Sequence, residues 1–214
     1  DTGNFTHAVL ERFMRYYASL PPGQKPGEDE ISSRISAYTD DYFLNLCAQR
    51  PVDFSDKRLA HMIAKLKKNS VLLAQNLTDE FSQSAFRPRD FELAIGAGGI
   101  KPLAIPLGDG AYARFVGTID RVDTYEADGK VYVRVVDYKT GKKEFRQDYL
   151  RLGLDLQMLL YLFSIWENGK ERYGGEIVPA GVLYLGAGTP SIAAPVPKNE
   201  AEKKELLQRQ IRRS

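Results

Sequence analysis

The stretch ARFVGTIDRVDTYEADGKVYVRVVDYKTG, residues 113–141, decides the fold. Two runs rich in β-branched and aromatic residues flank Asp128-Gly129, and Asp-Gly between alternating runs is a strong hairpin signal. A two-residue turn there fixes the register. Asp120 then stands opposite Asp137, Val122 opposite Val135 and Thr124 opposite Val133, all on one face. Directly opposed Cβ atoms in such a ladder lie about 5 Å apart. Lys139, two residues past Asp137, joins the same face. That face is apolar in its middle and ends in two carboxylates and an ammonium. On the other face Arg121 opposes Val136. Asp123 opposes Arg134 there, which reads as a surface cross-strand ion pair of small value.

Like charges directly opposite one another destabilise a sheet. Asp120 and Asp137 at one hairpin end therefore require a cation, and Lys139 supplies part of it. A divalent metal would supply more, because Mg²⁺ typically takes one or two carboxylates together with waters and phosphate oxygens. Lys139 would then orient or deprotonate water, or stabilise charge developing on phosphate. An open, solvated hairpin end carrying three unrelated polar residues is the alternative that geometry alone leaves standing.

Outward from the hairpin the chain is mixed. Residues 4–19 place Val9, Leu10, Phe13, Met14 and Tyr17 at helical spacing, with Asn4 as N-cap. The turn-rich loop PPGQKPGEDE leads to a second helix over 31–49. Ser55 opens a long helix to about 84, striped by Leu59, Met62, Ile63, Leu66, Ser70, Leu73, Leu77 and Phe81. FELAI at 91–95 and KPLAIPL at 101–107 read as short strands around a Gly-rich turn. Helical spacing returns over 150–167 and stops at Asn168-Gly169. EIVPAGVLYLG at 176–186 is a strand whose Pro179 marks an edge or an irregular start. The last 17 or so residues read as a charged helix or solvated tail. The order predicts a mixed α/β domain with a helical part over 1–85, a sheet and helix over 86–190 and a tail over 191–214.

Composition bounds the function classes. The chain has 214 residues, 43% hydrophobic and 27% charged, enough to bury roughly 70% of its unfolded surface as one domain. No apolar run approaches the roughly 20 residues of a membrane span, and no secretory leader is visible. Cys47 is the one cysteine, so neither a disulfide nor a Cys-rich metal site is available, and a reducing cytosol fits. The 30 Lys and Arg balance 28 Asp and Glu, which neither demands nor excludes nucleic acid. Both ends read as cut from a longer chain.

GTIDRVD, a hairpin, VVDYKTG and then LGLDLQMLLYL, preceded by GNFTHAVLERF, together resemble the RecB-like branch of the PD-(D/E)XK nucleases. The nearest resemblance is to the C-terminal nuclease domain of the AddB/RexB family, whose members are subunits of ATP-dependent helicase–nucleases. It covers residues 3 to about 186. It implies a restriction-endonuclease-like mixed sheet flanked by helices. It also implies that His7, Asp120 and Asp137 ligate a metal, Mg²⁺ or Mn²⁺, that the Tyr138 carbonyl joins them, and that Lys139 is the catalytic lysine. Gln157 and Tyr161 match the family's Gln-x-x-x-Tyr, which shares one helix face and reaches the metal site or DNA phosphate. Glu11, one turn after His7, is a position often acidic in the family, where an accessory role is one reading and a plain helix position the other. Glu92 is a surface strand position and His61 a structural one.

The family resemblance further implies DNA as substrate, DNA-end processing in recombinational repair, an AddA-like helicase partner, a cytoplasmic location and no membrane. It also brings an expectation that this chain does not meet. Four cysteines hold a 4Fe–4S cluster in the full-length family, and only Cys47 is present here. No Gly-x-x-x-x-Gly-Lys-Ser/Thr motif is present, so ATP hydrolysis belongs elsewhere. A stand-alone exonuclease of the same superfamily, CRISPR-associated or phage-type, and a catalytically silent DNA-binding module of the same fold are the alternative readings.

Overall fold

The computed structural model describes residues 2–49, 56–139, 156–186, 199–202 and 205. Three helices come first: α1 (Thr2–Ser19), α2 (Glu28–Gln49) and α3 (Lys57–Ser82). Strand β1 (Arg87–Ile95) follows, then the short strands β2 (Ala104–Gly108) and β3 (Ala111–Arg114). The hairpin is β4 (Gly117–Ala127) and β5 (Lys130–Lys139). Helix α4 (Gln157–Asn168), the single-turn α5 (Lys170–Tyr173) and strand β6 (Glu176–Gly186) complete the order.

The main sheet has the order β1-β4-β5-β6. β4 pairs antiparallel with both β1 and β5, while β6 runs parallel to β5. The hairpin register is the expected one from Ala127–Lys130 to Arg121–Val136, with Val122 facing Val135, Thr124 facing Val133 and Asp123 facing Arg134; Asp120 and Asp137, expected opposite one another, lie beyond the last pair of this ladder. Asp128 and Gly129 both have positive φ, 52° and 73°, the backbone that a type I′ turn needs to match strand twist. Pro179 sits on β6, an edge strand of this sheet, where a missing N–H leaves no central ladder broken.

Helices cover both faces, so there are two cores. Phe5, Val9, Leu10, Phe13, Met14 and Tyr17 of α1 pack with Ile31, Ile35, Ala74, Leu77 and Phe81 of α2 and α3, and with Tyr138 of β5. On the other face Met158, Tyr161, Leu162 and Ile165 of α4 pack on Leu93, Ile119, Val122, Val131, Val133 and Val135. Each core joins the apolar stripe of a helix to alternate residues of strands, the standard way for both elements to lose their exposed apolar surface. Among the described residues no helix is long and apolar enough to cross a membrane.

Several sequence expectations shift. α1 already includes Thr2, so Asn4 lies inside the helix instead of capping it. α2 starts at Glu28: the acids Glu28, Asp29 and Glu30 form its first turn, where negative charge suits the helix dipole. Asp56 caps α3, its carboxylate accepting the Arg58 N–H at 2.8 Å. Residues 101–107 do not pair with 91–95 in the main sheet. β2 pairs with β3 in a separate two-stranded arm, so the hairpin strand begins at Gly117 and not at Ala113. Residues 150–155 and most of 191–214 lie outside the described residues.

The largest correction concerns the face opposite Val122. Asp123 and Arg134 do form a cross-strand pair, at 2.8 Å, but Asp123 is 0% exposed and so is Arg121 beside it. α3 covers this face. Strand alternation shows that two residues share a face, not what covers it.

Candidate functional site

The site forms where the N-terminal helix crosses the sheet. α1 buries Phe5, Val9, Leu10 and Phe13, which turns His7 to the helix flank next to β4. There the His7 Nε2–H is donated to the Tyr138 carbonyl at 2.8 Å, and Nδ1 lies 3.5 Å from Asp120 Oδ1. Asp120 in turn accepts the Tyr138 backbone N–H through Oδ2 at 2.7 Å. One residue, Tyr138, therefore ties the two side chains together through its main chain. His7's pKa is raised above its ordinary value. The Asp120 hydrogen bond is the largest cause, opposed by burial and supported by the Asp120 charge, the Tyr138 carbonyl and the Asp137 charge.

Glu92 completes a trio that its position on a strand surface did not foretell. Ligand atoms of His7, Glu92 and Asp120 all lie within 4.8 Å of one another. In β1, Phe91 pairs with Arg121 and Leu93 with Ile119, so Glu92 is level with Asp120. Glu92 has φ 51°, a left-handed backbone that is uncommon outside glycine. Leu93 and Ile119 belong to the core under α4, whereas Phe91 and Arg121 pack towards the α1–α3 side. Regular strands would keep residues two apart on one face. The turnover between them delivers Glu92 and Asp120 to His7. It also corrects the expectation that Asp120 continues the Val122–Thr124 face. No motif marks Glu92; an irregular φ on a strand is not written in residue type. Burial, then the charges of Asp120 and Glu11, raise the Glu92 pKa, with His7 and Arg15 opposing.

Asp137 and Lys139 stand beside this trio. Lys139 Nζ contacts both Asp137 carboxylate oxygens, at 2.9 and 2.7 Å. Asp137 is near enough for its charge to act on His7. Glu11, one turn beyond His7, binds Arg15 at 2.7 Å. His61 is exposed.

Gln157 and Tyr161 meet as their spacing requires: Gln157 Nε2 donates to the Tyr161 hydroxyl at 2.7 Å. Tyr161 is 1% exposed and donates its own proton to the Val116 carbonyl at 3.1 Å. The ring is core, and its hydroxyl holds the chain entering β4. Gly117 is needed there, because a Cβ at that position would lie 1.9 Å from the Tyr161 hydroxyl. The glycine of GTID thus admits the tyrosine of Gln-x-x-x-Tyr.

An imidazole and two carboxylates whose ligand atoms lie within 4.8 Å of one another, with a backbone carbonyl 2.8 Å from the imidazole, are a donor set suited to a divalent cation. The Glu92–Asp120 apposition is the like-charge strain that such an ion would relieve. The residues fit a metal. They do not fit an iron–sulfur cluster, which takes four thiolates where the chain has Cys47 alone.

A family model described as the PD-(D/E)XK nuclease superfamily matches residues 1–214. Three curated relatives share one name, that of the second subunit of an ATP-dependent helicase/deoxyribonuclease. That of Ruminiclostridium cellulolyticum is 31% identical over 194 residues, 90% of this chain and 17% of the relative. That of Acetivibrio thermocellus is 29% identical over 214 residues, 99% of this chain and 18% of the relative. That of Exiguobacterium sibiricum is 33% identical over 207 residues, 97% of this chain and 18% of the relative. This chain therefore spans 17–18% of the length of these three relatives. A helix-borne histidine, a hairpin ending in Asp, Asp and Lys, and a family match along the full chain agree: this is a member of the PD-(D/E)XK nuclease superfamily.

Proposed function

We propose that the chain is a metal-dependent deoxyribonuclease domain that hydrolyses DNA phosphodiester bonds with Mg²⁺ or Mn²⁺. The observation that carries this reading is the convergence of His7, Asp120 and Glu92 beside the Asp137–Lys139 pair. His7, Asp120 and Asp137 would hold the metal with the Tyr138 carbonyl, and Glu92 stands within reach as a further carboxylate. A divalent cation in such a site supplies Lewis acidity at the phosphate and lowers the pKa of water.

The chain's own residues do the rest. Asp120, fixed by the Tyr138 N–H, presents its other oxygen to the site. His7 donates one ring N–H to a carbonyl and aims the other nitrogen at Asp120, the arrangement that orients a metal-ligating imidazole. Lys139 is held by Asp137 and brings a positive charge to a phosphate that gains negative charge during attack. Gln157, exposed at the first turn of α4, has an amide free to turn from Tyr161 to a phosphate oxygen.

The shared name of the relatives supports placing this domain beside a helicase in an AddB-type protein; DNA-end processing in recombinational repair is the role we propose for it there. Incubating the protein with linear duplex DNA, with Mg²⁺, with Mn²⁺ and with chelator, tests the reading. Degradation that needs the metal and is lost in Lys139→Ala is expected. Degradation indifferent to chelator contradicts it.

A further inference from the structure

Behind the metal trio lies a chain of buried charges. Arg121 and Asp123 are both 0% exposed, and Arg121 is among the largest fully buried side chains of the described residues. The Arg121 guanidinium makes a two-pronged bond to Asp123, Nε to Oδ1 at 2.8 Å and Nη2 to Oδ2 at 3.1 Å. Its remaining Nη1–H is donated to the Tyr138 hydroxyl at 2.7 Å. Asp123 also accepts from Arg134 Nε at 2.8 Å, and Arg134 Nη2 reaches Glu80 of α3 at 2.7 Å. Aromatic rings flank the cations: Phe81 and Tyr138 lie beside Arg121, and Phe81 and Phe86 beside Arg134.

Burying an ion pair such as Arg121–Asp123 is a weak way to gain stability, since apolar residues of equal volume often do as well or better. The network therefore needs another reason to exist here, and its far end supplies one. Tyr138 is the residue whose N–H holds Asp120 and whose carbonyl holds His7. Its ring is buried, and its hydroxyl is anchored to a cation that is itself clamped by a carboxylate. Those two groups belong to the peptides on either side of the Tyr138 Cα, so a shift of the Tyr138 main chain would move both ligands at once.

We infer that Arg121, with Asp123, Arg134 and Glu80 behind it, is a positioning device: through the Tyr138 hydroxyl it fixes the main chain at Tyr138 that aligns His7 and Asp120. The assignment rests on the metal-site reading above. It makes Arg121 and Tyr138's side chain positioning groups, since neither side chain touches the reacting atoms. It also ties the site to α3, on the helical part of the molecule, through Glu80.

Tyr138→Phe tests it, because the ring and the backbone stay and one hydroxyl goes. Tyr173→Phe is the control. It also removes a buried hydroxyl bonded at 2.7 Å, here to Asp90, which is not one of the metal trio. Three quantities are read on each: melting temperature, Mn²⁺ affinity by calorimetry, and the His7 imidazole resonances of the metal-free protein. His61 is the only other histidine and serves as an internal reference.

Tyr138→Phe is expected to weaken Mn²⁺ binding about tenfold, in the range typical of groups that orient metal ligands. It should also shift the His7 resonances and lower the single-turnover rate on DNA at saturating Mn²⁺, with the DNA concentration dependence unchanged. Tyr173→Phe should lower the melting temperature and leave the other readouts unchanged. Glu80→Gln, at the partly exposed end of the chain, should shift them in the same direction as Tyr138→Phe but less. If Tyr138→Phe leaves Mn²⁺ affinity and His7 resonances as in the wild type, the assignment falls. A wild type that binds no Mn²⁺ overturns it together with the metal site. A wild type that binds Mn²⁺ but cuts no DNA overturns the nuclease reading alone, and the affinity and resonance data still decide the positioning role.

Discussion

At Lys139 two opposing demands meet. Its ammonium neutralises Asp137, yet the proposed reaction uses it against a phosphate. Lys139→Ala should therefore abolish cleavage while leaving metal binding intact or tighter, because Asp137 loses a competing cation. Calorimetry with Mn²⁺ alongside a cleavage assay checks both halves. His7 gives the pH dependence. Its pKa is raised, first by the Asp120 hydrogen bond. Its contribution to metal-free stability is thus fully present below the unfolded value of about 6.5 and is lost as pH rises through the folded value. Metal binding runs the other way, since a ligating imidazole must give up its proton. Mn²⁺ affinity should rise with pH through the raised His7 value and level off above it, and His7→Gln should flatten that slope. The hairpin and a family pattern put His7, Asp120, Asp137 and Lys139 forward as candidates, and the structure brings His7 beside Asp120 and Lys139 beside Asp137. Glu92 was not legible: its membership depends on a left-handed φ that flips its side chain.

Between elements, the contact that decides most is Gly117 against Tyr161. A methyl group at Gly117 would stand 1.9 Å from the tyrosine hydroxyl and 2.9 Å from the ring carbon bearing it. Gly117→Ala should push Tyr161 off the Val116 carbonyl and cost about 1–3 kcal/mol, as over-packing a filled core usually does. Chemical denaturation measures this, and adding Tyr161→Phe should recover part of the loss. The sequence placed Gln157 and Tyr161 on one helix face, and they are bonded there. It could not show that Tyr161's hydroxyl is committed to the entry of β4. The hairpin was legible because Asp-Gly dictates both turn and register. The β2–β3 arm was not, because its short runs carry no register signal. The Asp123–Arg134 pair was read correctly as a pair and wrongly as a surface one, since α3 arrives from distant sequence to bury it.

For the molecule as a whole, two cores flank one sheet, and the metal trio sits at the crossing of α1 and the β1–β4 ladder. A ligand that binds only the folded state stabilises it by mass action, about 2.7 kcal/mol at a hundred times its dissociation constant. Mn²⁺ should therefore raise the melting temperature of the wild type. It should leave that of Asp120→Ala unmoved, and metal-free Asp120→Ala should itself melt somewhat lower than wild type, because the Tyr138 N–H and His7 lose their acceptor. The most direct test of the central claim is single-turnover cleavage of linear duplex DNA by wild type and by Asp120→Asn at saturating Mg²⁺. Metal-dependent cleavage by the wild type is expected, with a rate roughly a thousandfold lower in the variant. Equal rates in the two proteins, or wild-type cleavage that survives chelation, would contradict a metal-dependent nuclease centre at Asp120.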